Sequence, residues 1–248
     1  MFLRHHQLVA AFFLVVVATV IVATVAAGPV HANVLGFGLS SDPPTLDPHL
    51  AGGTTARTVK AVVYEGLMSF TPDADVRPQL AESVEMLDDK TYVFKLRRGV
   101  RFHQGQLLTA DDVRYSFERI LDRSTGAQLG ATLAIIDSIE TPDDYTVIIR
   151  LKEPFAPFLE VLAQPEASIV SREWMQGNPD LNRTMNGTGP FQMDFRISGV
   201  QIQMSRNPHY YEEGLPKLEG ITFAIYADPD ARLAALQTNQ IQVMEYVE

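Results

Sequence analysis

Three side-by-side aspartate pairs, Asp88-Asp89, Asp111-Asp112 and Asp143-Asp144, are the residues closest to an acid–base pattern, and His49, His103 and His209 are the metal-ligand candidates downstream of residue 32. Two carboxylates cooperate in catalysis when they face one another across a substrate. Neighbours on a turn or at a helix start point in different directions, so these pairs read as turn formers and as negative charge at a helix N-terminus. The histidines lie far apart in unlike contexts; a composite metal site built from them is the alternative to ordinary surface and turn roles. The sequence has no Gly-x-Ser-x-Gly elbow, no His-Glu-x-x-His helix and no phosphate-cradling Gly-x-x-x-x-Gly-Lys loop. With no cysteine, thiol nucleophiles and thiolate metal sites are impossible. The expectation is no catalytic residue, no metal centre and no cofactor.

At 248 residues the chain can make one large domain or two modest ones, and 46% hydrophobic content is ample for a core. Residues 1–32 read as a cleavable secretory signal peptide. Arg4 is the only charged residue in a short polar start, Leu8 to Ala27 is an apolar run, and Val30-His31-Ala32 offers a cleavage point that leaves Asn33 first. Val25-Ala26-Ala27 is an earlier option. The other reading is an uncleaved amino-terminal membrane anchor, since about twenty apolar residues span a bilayer. Either way the remainder is exported. Without cysteine there is neither a disulfide framework nor a lipid-bearing thiol, which favours a soluble periplasmic protein. Loss of Arg4 with the leader takes the formal charge from −10 to −11. An acidic chain with no basic stripe argues against nucleic acid; it favours solubility and leaves cationic ligands open.

Several elements must position whatever site exists. Val34 to Leu39 reads as a strand that ends in the turn-rich Ser40-Ser41-Asp42-Pro43-Pro44. Val59, Val62, Val63 and Leu67 predict a helix from Thr55 to Met68. Strands are expected over 80–84 and 91–96, the second alternating Tyr92, Phe94 and Leu96 with polar or smaller residues. Thr109-Ala110-Asp111-Asp112 starts a helix whose apolar face is Val113, Phe117, Ile120 and Leu121. A hairpin over 134–139 and 145–151 and a short helix over 157–162 follow. Then come strands over 191–197 and 201–205, a strand over 221–226, a helix over 229–238 and a last strand over 241–247. Trp174, the lone tryptophan, either stacks on a ligand or packs beneath a surface loop. The pattern is mixed α/β with antiparallel hairpins.

Seven short motifs share an order and spacing: Leu46-Asp47-Pro48, Tyr64-Glu65-Gly66-Leu67, Pro78-x-Leu80-Ala81-Glu82-Ser83, Phe94-x-Leu96-Arg97-x-Gly99-Val100-x-Phe102-His103-x-Gly105, Leu108 to Val113, Gly187-Thr188-Gly189-Pro190-Phe191, and Arg206-Asn207-Pro208-x-Tyr210. Together they resemble the peptide- and nickel-type extracytoplasmic solute-binding proteins of ABC importers. Tyr211 stands where that family often has tryptophan, and Gln240-Ile241-Gln242 where it often has a glycine-acid-isoleucine-aspartate run. The resemblance implies an α/β, periplasmic-binding-protein-like two-lobed fold with an appended subdomain. It assigns 33–68 and 171–248 to a discontinuous first lobe and 69–170 to the appended α/β subdomain, with the second lobe and the closing segment expected beyond Glu248.

By the same resemblance the chain captures peptides or peptide-like solutes in an interlobe cleft and delivers them to the membrane permease of the importer. The alternatives are a nickel- or metal-complex-binding member of the family, or a degenerate non-transport fragment that acts as an interaction protein. Ala51, Gly52, Gly53, Thr54 and Thr55 resemble a loop that borders the ligand, where glycines admit a ligand backbone and hydroxyls and amides bond it. The other reading is an ordinary loop before a helix. Gly187, Thr188, Gly189 and Pro190 are the hinge candidates, while Arg97 and His103 are expected to organise a turn. Gly53→Trp is expected to weaken ligand affinity with little change in melting temperature.

Overall fold

The apolar run after Asn33 forms the strand Val34–Leu39 (β1), as its composition predicts. A computed structural model of the chain describes residues 33–177 and 179–245, so the expected leader lies outside the described residues. After β1 come the helix Gly53–Lys60 (α1), the hairpin Met68–Phe70 (β2) and Val76–Pro78 (β3), and the strands Ala81–Met86 (β4) and Thr91–Leu96 (β5). The helices Ala110–Leu121 (α2) and Gly130–Leu133 (α3) precede a second hairpin, Ile136–Asp143 (β6) and Thr146–Leu151 (β7). Two short helices follow, Phe158–Leu162 (α4) and Arg172–Gln176 (α5). The described part closes with the hairpin Phe191–Ile197 (β8) and Gln201–Arg206 (β9), the strand Gly220–Ile225 (β10), the helix Pro229–Gln237 (α6) and the strand Val243–Met244 (β11).

These elements make a five-stranded sheet in the order β11-β1-β10-β9-β8 and a four-stranded antiparallel sheet in the order β4-β5-β7-β6. Each sheet has its own buried cluster. On the four-stranded sheet, Tyr92, Phe94 and Leu96 of β5 and Val147, Ile149 and Leu151 of β7 are buried, as their period of two requires. Val113, Phe117 and Ile120 of α2 close over them with Phe102, Leu108 and Phe158. Asp112 takes both the amide and the hydroxyl of Thr109 (2.9 and 3.0 Å), so the aspartate pair does start this helix. Pro142 is tolerated because β6 is an edge strand whose register slips nearby. The other cluster gathers Leu39, Leu46, Val59, Val63, Ile202, Met204 and Phe223. Within it Phe37 and Phe223 sit opposite one another, their rings 5.6 Å apart.

Two expectations need correction. The helix predicted from Thr55 to Met68 ends at Lys60. The carbonyls of Val62 and Val63 accept the amides of Phe191 and Gly189 (3.0 and 2.9 Å), acceptors a continuing helix would use internally. The strand predicted over 241–247 reduces to β11, and Tyr246 and Val247 lie outside the described residues. The β2–β3 hairpin, α3 and α5 went unforeseen because each is too short to show a period.

Candidate functional site

β1 is parallel to both β10 and β11, so these three strands end at one edge of the sheet. Ala224 pairs with Gln201, which brings the β8–β9 turn to that edge too. In α/β sheets the carboxyl ends of parallel strands are where loops converge to build ligand sites. Here the loop 40–52 leaves β1 at this edge and returns into α1.

One carboxylate organises the edge. The Glu245 amide donates to the Gly38 carbonyl (2.9 Å), completing the ladder between β11 and β1. One step further, the Ser40 amide donates to the Glu245 side chain at Oε2 (2.8 Å). The same oxygen accepts the hydroxyls of Ser40 and Thr55, the second at 3.0 Å. Helix α1 has no side-chain cap at Gly52 and no acidic residue in its first turn. Glu245 therefore supplies the negative charge that its positive end favours.

The loop is fixed at two further points. Asp42 accepts from the Ser198 hydroxyl, the Gly199 amide and Arg196 (2.7, 2.9 and 2.8 Å), tying it to the β8–β9 turn. Burial alone would raise the Asp42 carboxyl, but these bonds outweigh it and hold it below its usual range. Asp47 forms a two-pronged pair with Arg119 of α2, and Arg119 also donates to Nδ1 of His49. His49 Nε2 donates to the Ser168 carbonyl (2.9 Å), so both ring nitrogens are engaged and the ring is neutral. Burial first, then the Arg119 charge, push His49 down to about 4. Buried Lys60 donates to the carbonyls of Asp47 and Leu50 (3.1 and 2.8 Å), which closes the loop onto α1.

The predicted binding residues lie in this frame. Ala51, Gly53 and Thr54 are exposed, Gly52 is half-buried and Thr55 is buried beneath them against Glu245. Gly53 has φ 68°, and a Cβ there would meet nothing within 4 Å. The position is open in space but strained for any side-chained residue, at about 1–2 kcal/mol. Gly53→Trp would therefore lower the melting temperature as well, contrary to the expectation from sequence. A concavity of about 680 Å³ beside the β8–β9 turn is lined by Pro44, Asp180, Arg183, Phe195, Arg196 and Ser198. Its Arg196 already holds Asp42 and its Arg183 pairs with Asp180 (3.4 Å).

Comparison with known proteins places this arrangement. Residues 75–248 match the family described as bacterial extracellular solute-binding proteins, family 5 middle. The chain belongs to this family. Over 200 residues it is 32% identical to the glutathione-binding protein GsiB of Escherichia coli K12, covering 80% of this chain and 39% of that protein. The periplasmic binding protein AgaA of A. tumefaciens R10, solved with agropinic acid, is 37% identical with a TM-score of 0.81 over 84% of this chain and 43% of that one. DppA of Helicobacter pylori, solved with the peptide STSA, is 28% identical with a TM-score of 0.77 over 84% of this chain and 45% of that one. The chain thus spans less than half the length of these relatives, whose names describe binding proteins rather than enzymes. Among the described residues no helix is long and apolar enough to cross a membrane.

Several of the family-like motif residues meet at one place, the contact between the two buried clusters. Glu65 accepts the Gln79 amide and the hydroxyls of Tyr210 and Tyr211 on one oxygen (3.1, 2.8 and 3.1 Å), and the Thr188 hydroxyl on the other (2.8 Å). Burial raises its carboxyl despite these bonds. His103 donates its amide to the Gly187 carbonyl and its Nε2 to the Gly189 carbonyl (both 2.9 Å), while Asn207 donates to Gly189 as well (3.0 Å). A Cβ on Gly187 would sit 1.9 Å from the Val63 carbonyl oxygen, so no other residue fits. Arg97 donates to the Gln79 carbonyl (2.6 Å), so Arg97 and His103 hold backbone of remote segments rather than the turn expected of them. The hinge candidates Gly187, Thr188, Gly189 and Pro190 are therefore held on several sides, and rotation about them would break these bonds. Among the described residues no hydrogen bond joins them to Ala51–Thr55.

His209 is exposed, and among the described residues no group of acidic or histidine side chains could hold a metal ion. Asn186, in a glycosylation-like triplet, is fully buried between Gln104 and Gln106. Trp174 is half-buried on α5, where its amide caps onto Ser171. Sequence reasoning missed Glu245, Ser40 and Asp42. A single acidic residue within the otherwise uncharged run 241–247 was the available signal for Glu245.

Proposed function

We propose that the chain is the solute-capturing component of an ATP-binding-cassette importer, with the carboxyl edge of its five-stranded sheet as one wall of the binding cleft. It works outside the cytoplasmic membrane, and its partners are a small peptide or peptide-like solute and the membrane permease that receives it. The observation that carries the reading is the exposed, uncharged run Ala51–Thr54 mounted on a fixed frame at that edge. Such a surface offers backbone amides and a hydroxyl to a solute's amide and carboxylate groups without selecting its side chains. Binding is then a population shift toward a state the solute favours, and energy for transport comes from the importer's ATPase subunits. Gly187–Pro190 act as the rigid support of the cleft, and bending occurs elsewhere.

The test is calorimetry of the purified chain against glutathione, short peptides and opine-type solutes, beside its Thr54→Trp variant. Thr54 is exposed and helical, so tryptophan there changes stability by no more than about 0.5 kcal/mol. It should nevertheless lower solute affinity by about tenfold or more, equivalent to 1.4 kcal/mol. Unchanged affinity in the variant would remove this loop from the wall. Absence of binding to every solute class would overturn the capture reading itself.

A further inference from the structure

We propose that Glu245 is a positioning residue that sets the orientation of the binding loop, an inference that rests on the wall described above. The backbone argument comes first. β11 stays in register with β1 through the Gln242 amide to Gly36 and the Glu245 amide to Gly38 (both 2.9 Å). Among the described residues the ladder offers Ser40 no further backbone partner, and the Glu245 carboxylate accepts its amide at 2.8 Å. A single oxygen then reaches the Thr55 hydroxyl in the first turn of α1. Three pieces of chain that are remote in sequence thus meet on one charged acceptor: the end of β1, the start of α1 and the exit of β11. Charged acceptors make the stronger hydrogen bonds, and α1 lacks any acidic residue of its own at this end.

The consequence is mechanical. Gly53 and Thr54 are exposed, and among the described residues no Thr54 side-chain hydrogen bond reaches the frame, so their direction is set by the turn that Thr55 anchors. Moving β11 along β1 would pull Glu245 away from Ser40 and Thr55 and release that turn. Strand β11 is thereby coupled to the binding loop through the Glu245 side chain. Thr55 shares this role, with the Ser40 and Ser41 hydroxyls each 3.4 Å from its own.

Hydrogen exchange on the complete chain tests the inference without any solute. In Glu245→Ala, the amide of Ser40 and those of Ala56 and Arg57, which close the first turn, should exchange about tenfold faster or more. Amides in the centre of α2 should be unchanged, and Glu245→Gln, which keeps one acceptor oxygen, should recover part of the protection. Equal rates in Glu245→Ala and the parent would overturn the proposal, as would an equal acceleration in α2, which marks general loosening. In a second arm, calorimetry with the solute bound by the parent chain should show weaker affinity in Glu245→Ala. Accelerated exchange with unaltered affinity would leave Glu245 a local brace and refute its positioning role. If the parent binds no solute, the function proposed above fails while the exchange result still decides what Glu245 holds.

Discussion

Gly187→Ala is the most direct probe of how the two buried clusters are joined. The new Cβ would lie 1.9 Å from the Val63 oxygen, 2.7 Å from the Val63 carbon and 3.0 Å from the Tyr64 ring. Ordinary contact begins at 3.4 Å, so the backbone must move by about 1.5 Å. The Val63 oxygen cannot move that far and still accept the Gly189 amide at 2.9 Å. The His103 amide, which donates to the Gly187 carbonyl at 2.9 Å, is displaced by the same shift. Each buried donor left without a partner costs about 1–3 kcal/mol, and overpacking adds about 1–3 kcal/mol. A total near 4 kcal/mol lowers the melting temperature of a domain of this size by about 8–16 °C. Gly53→Ala is the control: it meets no atom within 4 Å and suffers only its φ of 68°, so it should cost about 1–2 kcal/mol. Circular dichroism melts at pH 7 compare the two. If Gly187→Ala melts within a degree or two of Gly53→Ala, the joint accommodates a methyl group and the steric argument is wrong.

His49 gives a pH prediction. Its ring is held near 4 when folded against an ordinary value of 6.5, so between these values the unfolded chain takes the proton that the folded chain refuses. Stability should fall by about 3 kcal/mol as pH drops from about 6.5 to 4, a decline read by urea melts. His49→Gln should lack that portion of the decline; an identical pH profile in both proteins would refute it. The groups facing the ring, Asp47, Arg119 and Lys60, are retained in the variant. Glu65→Leu should cost about 3 kcal/mol or more, because it leaves the buried Thr188 hydroxyl and the half-buried donors of Gln79, Tyr210 and Tyr211 without their acceptor. Glu65→Gln should recover about half of the loss in the same urea melts. A loss below about 1 kcal/mol in Glu65→Leu would mean that water or a rearrangement satisfies those donors.

Elements held by their own periodicity were legible in the sequence. β5, β7 and α2 bury the faces their spacing dictates, and Thr109 with Asp112 announces the start of α2. The end of α1 was not legible, because it is decided by Gly189 and Phe191, more than a hundred residues away. The same limit governs the candidate site. Ala51–Thr55 were readable only through resemblance, and the loop's anchors depend on pairings that no local pattern encodes. Thr55 and Glu245 are 190 positions apart, and Asp42 meets Gly199 across 157. Glu245 acquires its role only once β11 has paired with β1. Until then it is one more charge in a largely apolar run.

Two kinds of physical constraint operate on this chain, and they fall on different residues. At the joint, geometry dictates residue type: Gly187 has no room for a methyl group, Glu65 must accept four donors, and His103 and Asn207 converge on one carbonyl. These residues are among the motifs that make the family readable, and none of them lies in the exposed run proposed as the wall. In the proposed wall, Ala51 and Thr54 are exposed, while the frame beneath them is fixed through Thr55, Lys60 and Glu245. Under the proposed function, the exposed residues of the wall can be exchanged at little cost to stability. The reverse also follows: a substitution in the joint loses the fold before it alters selectivity.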